Sequence, residues 1–311
     1  MNASKNLFGT VLTHTAPSAN YRGESAENRA VMQKITIGRF EYAIISPEAM
    51  RNALRETLAA LGLPCNRERL GDEEQLAVRF KDYPDGSRFA DDFFMGWLVA
   101  ASGKDREKIK KELKDRNRNP EDFTFKRDSI LRMNMALALE PYRHDTVFTQ
   151  SPLDATDKTI KAHTNDTSSN LLLRETAVTA FQYPFALNLT DCAPHLDWTR
   201  TLLKAIGELN GVAGNHARSY YEMAPASLAL RLTPRLVAGY DTYGFSIKEG
   251  KHQFPEVVEG LLAGDYPGEE FYLAGKLVKE MDEATANALA DMGVTLDRNP
   301  QRLLETVSQK L

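Results

Sequence analysis

The chain has 311 residues, 42% of them apolar and 26% charged, which is room for one large packed domain or two modest ones. With 39 Lys/Arg against 43 Asp/Glu the net charge is -4, so bulk positive charge is excluded as a means of coating nucleic acid. Cys65 and Cys192 stand outside any CxxC pair, which excludes a disulfide scaffold and a thiolate zinc site and fits a reducing compartment.

Residues 7–12 read as a strand and 13–27 as a polar loop. Residues 31–37 and 40–45 are β-rich, with Gly38 as the break between them. Ser46 is a good N-cap and Pro47 suits the first helical position. Met50, Leu54, Leu58 and Leu61 then follow at helical spacing, and Gly62 fits the end of the helix. Arg51 and Arg55 lie four apart, so they share a face beside that apolar stripe. From 64 to 126 the charge density rises. Pro84-Asp85-Gly86 marks a turn, residues 89–101 read as a helix, and a mixed-charge helix over 104–118 ends at Asn119-Pro120. This stretch is expected to be an inserted, mainly helical subdomain.

Residues 129–139 resume apolar character. Residues 151–170 are rich in hydroxyls and amides and nearly free of large apolar groups, so they are expected to project as a long loop or hairpin. Residues 175–189 alternate as a strand, 197–209 form a helix ended by Gly211, 211–219 a Gly/His/Arg loop, and 226–232 a strand; no internal repeat is present. The order strand, helix, strands, helix, strand predicts an α+β fold: a ferredoxin-like or RNA-recognition-like sheet with helices on one face. Charge is uneven along it. Residues 239–311 hold 7 Lys/Arg against 13 Asp/Glu, a net of -6, so the rest of the chain stands near +2.

Arg22, Lys34, Arg51 and Arg55 lie on a loop, an extended segment and the first turns of a helix, where Ser46 adds a hydroxyl. Such a set can converge on a polyanion; spacing alone describes four ordinary surface cations better. In the loop after Gly211, Asn215, His216, Arg218 and Ser219 can bond phosphate or sugar, or the loop is a glycine cap with a polar turn. Asp91-Asp92 is expected to cap a helix or pair with Arg88 rather than hold a cation. The histidines (14, 144, 163, 195, 216 and 252) form no HxxxH or HExxH, and no Gly-x-Ser-x-Gly elbow occurs. Phe181, Tyr183 and Phe185 alternate, as do Phe40 and Tyr42, and are expected in the core rather than stacked on bases. No catalytic set, metal site or cofactor is therefore expected. Neither a signal peptide nor a run of roughly 18 apolar residues is apparent, so the expected setting is cytoplasmic, without a membrane partner.

Several segments resemble a known family. Pro17-Ser18, Arg22, Gln33-Lys34, Gly38-Arg39 and the Ile45-Ser46 helix entry with Arg51 and Arg55 look like the N-terminal unit of the backbone subunit of CRISPR surveillance complexes of the Cascade kind. Leu139-Glu140-Pro141-Tyr142-Arg143, the segment 179–187 and Gly211 through Arg218 narrow the resemblance to the DevR branch of type I systems; the matches run from about 7 to 233. One departure is that Pro47 and Glu48 stand where the family is usually polar or basic.

The resemblance implies a modified RNA-recognition fold whose copies stack head to tail along a guide RNA, with other Cascade subunits and with target DNA reached through the guide. It implies a palm over 1–63 and 127–238, a finger-like insertion over 64–126 and a thumb at 151–170 that displaces a base at intervals; the acidic region 239–311 lies outside the resemblance and is assigned no role by it. Ser18, Asn20, Arg22, Lys34, Arg39, Ser46, Arg51, Arg55, Asn215, His216 and Arg218 are then the candidate RNA contacts, with Lys158, Lys161, His163, Thr164 and Asn165 on the thumb. Guide sequence varies, so contacts must go to phosphates, 2′-hydroxyls and base faces. The competing readings are an endoribonuclease that processes precursor guide RNA, with His14 or His216 as base, and, ranked lowest, a developmental or autoregulatory protein.

Overall fold

The computed structural model describes residues 6–18, 21–26, 29–69, 78–150, 171–212 and 222–311. Strand β1 (Asn6–Leu12) runs through the centre of the main sheet. Its alternation is strict: Leu7 and Val11 enter one core, and Leu12 enters a second core on the other face. Gly9 is required by close approach, since a Cβ there would lie 2.4 Å from the Phe185 ring. The stretch expected as a polar loop is instead extended. It holds β2 (Ala16–Ser18) and β3 (Tyr21–Ala26), because partner strands supply the backbone hydrogen bonds that a polar sequence does not advertise, and β4 (Arg29–Met32) follows, overlapping the start of the β-rich stretch expected from residue 31. β5 (Lys34–Ile37) and β6 (Phe40–Ile45) form the expected hairpin. Helix α1 (Pro47–Ala60) begins as read: the Ser46 hydroxyl accepts from Ala49 N, and Met50, Leu54 and Leu58 are buried.

The insertion is less helical than expected. It opens with the hairpin β7 (Arg67–Arg69) and β8 (Val78–Phe80). Helix α2 is confined to Ala90–Met95. Gly96 stops it with φ 63°, and a Cβ there would meet the Arg127 carbonyl oxygen at 2.2 Å. The chain then turns into β9 (Trp97–Leu98), which pairs across α3 (Gly103–Asp115) with β10 (Lys126–Arg127). A Ser102/Asp105 capping box starts α3, and Leu113 is its one buried residue, so this basic helix is mostly solvated.

Next come β11 (Arg132–Met133), β12 (Ala136–Ala138), β13 (Asp145–Gln150), β14 (Leu171–Thr179) and β15 (Phe181–Asn188). The single strand expected over 175–189 is thus two strands in different sheets, parted at Ala180. After the short α4 (Leu189–Cys192), α5 (Leu196–Gly207) leads to β16 (Ser227–Thr233). The C-terminal region adds the hairpin β17 (Ser246–Lys248) and β18 (Lys251–Gln253), then α6 (Pro255–Ala263), β19 (Phe271–Gly275) and α7 (Lys276–Lys279). Helix α8 (Glu283–Asp291), β20 (Thr295–Asp297) and α9 (Pro300–Ser308) complete the chain.

The main sheet has the order β20-β19-β16-β1-β15-β12-β6-β5, with β11 also on β15. Its middle strands β16, β1, β15 and β12 are antiparallel to their neighbours. Residues of α1, α5 and α9 share one core with Phe181, Tyr183 and Phe185 of β15, so these aromatics are core, as expected. On the other face, near β16 and β19, a second core gathers Tyr240, Phe254, Val257, Leu261 and Phe271. A smaller sheet, β13-β14-β4-β3 with β2 on β14, stands beside the first.

Candidate nucleic-acid interface

The sheet face opposite α1 and α5 is covered only in part. Residues 240–245 strap across it: Thr10 Oγ1 donates to Thr242 O at 3.2 Å, the Tyr243 hydroxyl to Met135 O at 2.7 Å, and Phe245 N to Gln182 Oε1 at 3.1 Å. Beside the strap lies a concave seat of about 300 Å³ lined by Phe8, Pro184, Ala186, Asn134, Arg132 and Arg51. Arg132 is exposed, while Arg51 Nε is buried with no hydrogen-bond partner among the described residues. A buried guanidinium N–H without an acceptor is costly, and a phosphate oxygen is a suitable acceptor for it.

Arg55, one turn along α1, faces inward. Its guanidinium bonds Asn52 Oδ1 and lies 3.9 Å from Asp91. Asp91 also accepts from Asn66 N at 2.7 Å and Arg67 N at 3.2 Å. Its neighbour Asp92 accepts from Asn66 Nδ2 at 2.7 Å and Asp85 N at 3.0 Å, with Arg67 at 3.9 Å. Burial, then the nearby Arg67, lowers Arg55 to about 10, and burial lifts Asp92 above the usual carboxylate range. Asp91-Asp92 were expected to cap a helix or pair with Arg88; they lie in the first turn of α2 rather than at its N-cap, Arg88 goes to Asp82 at 3.0 Å, and the aspartates are a buried link between α1 and the segment at 66–67.

The remaining sequence candidates are dispersed. Lys34 pairs with Glu175 at 3.1 Å and lies over the Tyr142 ring, so its charge meets a buried carboxylate rather than joining Arg55. Arg39 is exposed at the β5–β6 turn, 5.2 Å from the Phe40 ring centre. Ser46 is occupied as the N-cap. Ser18 is 4% exposed, with its hydroxyl unpartnered. His14 lies past the far end of β1 in a cavity shared with Glu222, and partial burial, then Lys276, lowers its pKa. Arg22 lies in β3, with its side chain outside the described residues. Also outside them are Asn20, the thumb residues Lys158, Lys161, His163, Thr164 and Asn165, and Asn215, His216 and Arg218. The ends that flank these last two segments are described: β13 and β14 pair up to Gln150 and Leu171, and Asn210 bridges Glu222.

Sequence reasoning missed Phe8, Arg132, Asn134 and Pro184. Strand alternation gave the only signal, because Phe8 and Pro184 sit one step out of phase with the core residues Leu7 and Phe185. Among the described residues no group of His, Cys, Asp and Glu can hold a metal ion, and no helix is long and apolar enough to cross a membrane.

A mixed α/β chain with this sheet and these helices has the fold found in CRISPR surveillance complexes. It matches a chain of a "CRISPR RNA-guided surveillance complex, pre-nicking" with TM-score 0.57 and 12% identity, covering 98% of this chain and 100% of that one. A second match, to a chain of a "CRISPR RNA-guided surveillance complex", has TM-score 0.56 and 13% identity, covering 98% of each. In sequence the chain is a homologue of the CRISPR-associated protein Cas7/Cst2/DevR of Myxococcus xanthus (strain DK1622), 27% identical over 289 residues, which covers 89% of this chain and 88% of the relative. No family model matches the chain. The relative carries the DevR name to which the segments at 139–143, 179–187 and 211–218 pointed.

Proposed function

We propose that this chain binds CRISPR guide RNA without reading its sequence, as a repeating backbone subunit of a type I surveillance complex, with other Cascade subunits and guide-paired target DNA as its partners. The carrying observation is the seat beside the strap, where Arg51 of α1, its Nε unsatisfied among the described residues, and exposed Arg132 flank Phe8 and Pro184. Charge and apolar surface together suit a ribose-phosphate strand, with phosphates on the guanidiniums and a base or sugar face on the apolar floor. The similarity to Cas7/Cst2/DevR and to chains of RNA-guided complexes supports the same assignment.

In this reading the core β1-α1-β12-β15-α5-β16, in sheet order β16-β1-β15-β12, is an RNA-recognition-like palm. Residues 64–126 are its finger-like insertion, and 151–170, leaving and re-entering where Gln150 faces Leu171, are its thumb. Arg39, Ser18 and the loop at 215–218 extend the RNA track. The role is non-catalytic.

Arg51→Ala and Arg132→Ala are each expected to weaken guide binding by about 1.5 kcal/mol, roughly tenfold, and to reduce the salt slope by about one. Titrations over a range of salt concentrations read this, and unchanged slopes would remove the seat from the RNA path. Shortening 151–170 is expected to leave binding intact but erase the periodic base reactivity in chemical probing of the guide. Cleavage of repeat RNA that disappears in His14→Ala would replace the scaffold with the endoribonuclease reading.

A further inference from the structure

After β16 the chain makes an exposed loop in which Leu236 is 83% and Val237 62% exposed. Leu236 is the most exposed large apolar side chain among the described residues. The loop is nonetheless tied at several points. Asn6 Nδ2 donates to Arg235 O at 2.8 Å, Arg235 N donates to Thr233 Oγ1 at 3.2 Å, and Arg231 Nη1 donates to Ala238 O at 2.6 Å. Arg231 is itself locked, 3% exposed and 2.8 Å from Glu270. Two aliphatic side chains held into water on an anchored loop form a knob that the monomer leaves uncovered.

A cavity of about 770 Å³ lies at the opposite end of the same strand. Phe254, Val258, Leu277 and Met281 give it an apolar lining, and its charged groups are mixed, Glu259, Glu280 and Asp282 beside Lys248 and Lys251. It adjoins the first residue of β16: the Ser227 hydroxyl accepts from Leu277 N at 2.9 Å and bonds His252 Nδ1 at 2.8 Å. Knob and cavity therefore stand about 20 Å apart along β16, one at each end, by the rise of a seven-residue strand.

We propose that the Leu236–Val237 knob of one copy seats in the cavity between β17–β18, α6 and α8 of the next copy. That the occupant is a second copy rests on the reading of the chain as a repeating subunit. Three observations argue for it. The two features are complementary in kind, aliphatic projection against apolar hollow. Their placement at opposite ends of one strand makes the contact heterologous, so copies add in one direction without closing. Charge adds one complement, exposed Arg235 beside the knob against exposed Glu259 of the cavity, and the C-terminal region of net -6 would meet a body near +2. Knob, hollow and charge pair together supply the buried centre and polar rim that a specific interface needs.

The test uses the full chain. Leu236→Asp with Val237→Asp is expected to leave the monomer's thermal unfolding and its binding to a one-copy RNA oligonucleotide unchanged. On a guide long enough for several copies, sedimentation velocity is expected to show about a tenfold or greater loss of affinity between adjacent copies. Arg235→Glu and Glu259→Arg should each weaken assembly, and the double exchange should restore it. Normal assembly by the Leu236/Val237 variant overturns the proposal, as does a defect confined to joining a different protein of the complex. If the wild-type chain binds no RNA the functional reading fails, and the contact is still decided by mixing Leu236→Cys with Val258→Cys chains at high concentration. A disulfide formed only in the mixture supports the heterologous contact. A Leu236→Cys homodimer, or no link at all, overturns it; native Cys65 and Cys192 are buried and do not compete.

Discussion

Arg51 and Arg55 leave α1 one turn apart and meet different surroundings. Among the described residues the Nε of each lacks a hydrogen-bond acceptor, but the first lines a seat open to solvent and the second lies 3.9 Å from a buried aspartate. Four-residue spacing puts both on one face of the helix but says nothing about what packs against each end of that face. The insertion decides it, because Asp91 and Asp92 arrive through α2 from a distant part of the chain. Arg55→Ala is therefore expected to destabilise the fold by about 2 kcal/mol, since it strips charge compensation from a buried carboxylate, while changing RNA affinity little. Urea unfolding beside RNA titration separates the two effects. A loss of RNA binding in Arg55→Ala with full stability would return this arginine to the phosphate track.

At the scale of elements, a histidine pins one sheet to another. His252 of β18 is 4% exposed, and burial, then Lys276, pushes its pKa down from 6.5 to about 4. Ser227 Oγ accepts from Leu277 N, so its own proton is available to an unprotonated Nδ1. Between pH 6.5 and 4 the unfolded chain takes up a proton here that the folded chain refuses. The stabilisation is thus complete above about pH 6.5 and lost as pH falls toward 4, by about 2 kcal/mol after solvent screening. Urea midpoints at pH 7 and pH 4.5 should fall further apart in the wild type than in His252→Gln; equal shifts would acquit the histidine. This pin was not legible in the sequence, because Ser227, His252 and Leu277 meet only through sheet pairing. Legible elements were those carrying their own signals: α1 through Ser46, Pro47 and its apolar period, β1 through a short apolar run, and the β5–β6 hairpin through Gly38. What failed depended on remote partners. β2 and β3 are strands made by pairing, and α2 stops at Gly96 because the Arg127 backbone leaves no room for a side chain. The seat was hidden for the same reason, its members lying on β1, α1, the β11 segment and β15.

Over the whole molecule, the region set aside as acidic and without a role proves to be part of the fold. β19 pairs along β16 from Ser227–Gly275 to Arg231–Phe271, and α9 packs its Leu303, Leu304 and Val307 into the same core as α5. The second core draws Phe245, Phe254, Val257, Leu261, Phe271 and Leu273 from this region onto Leu12 and Ala229 of the central strands. A net charge of -6 over 239–311 describes its outer surface and conceals these inward apolar positions, which is why composition alone gave it no place. A chain ended at residue 238 would leave β16 as an edge strand with Leu228, Ala229 and Leu230 less covered, and would lose the strap beside the Arg51–Arg132 seat. Each large side chain so exposed forfeits roughly 2 kcal/mol of burial, which in sum approaches the lower end of a domain's usual margin of about 5–15 kcal/mol. The 1–238 fragment is accordingly expected to show no cooperative thermal unfolding and to aggregate. A fragment that unfolds sharply and still binds guide RNA would mean that the palm stands alone and that residues 239–311 serve only contacts between copies.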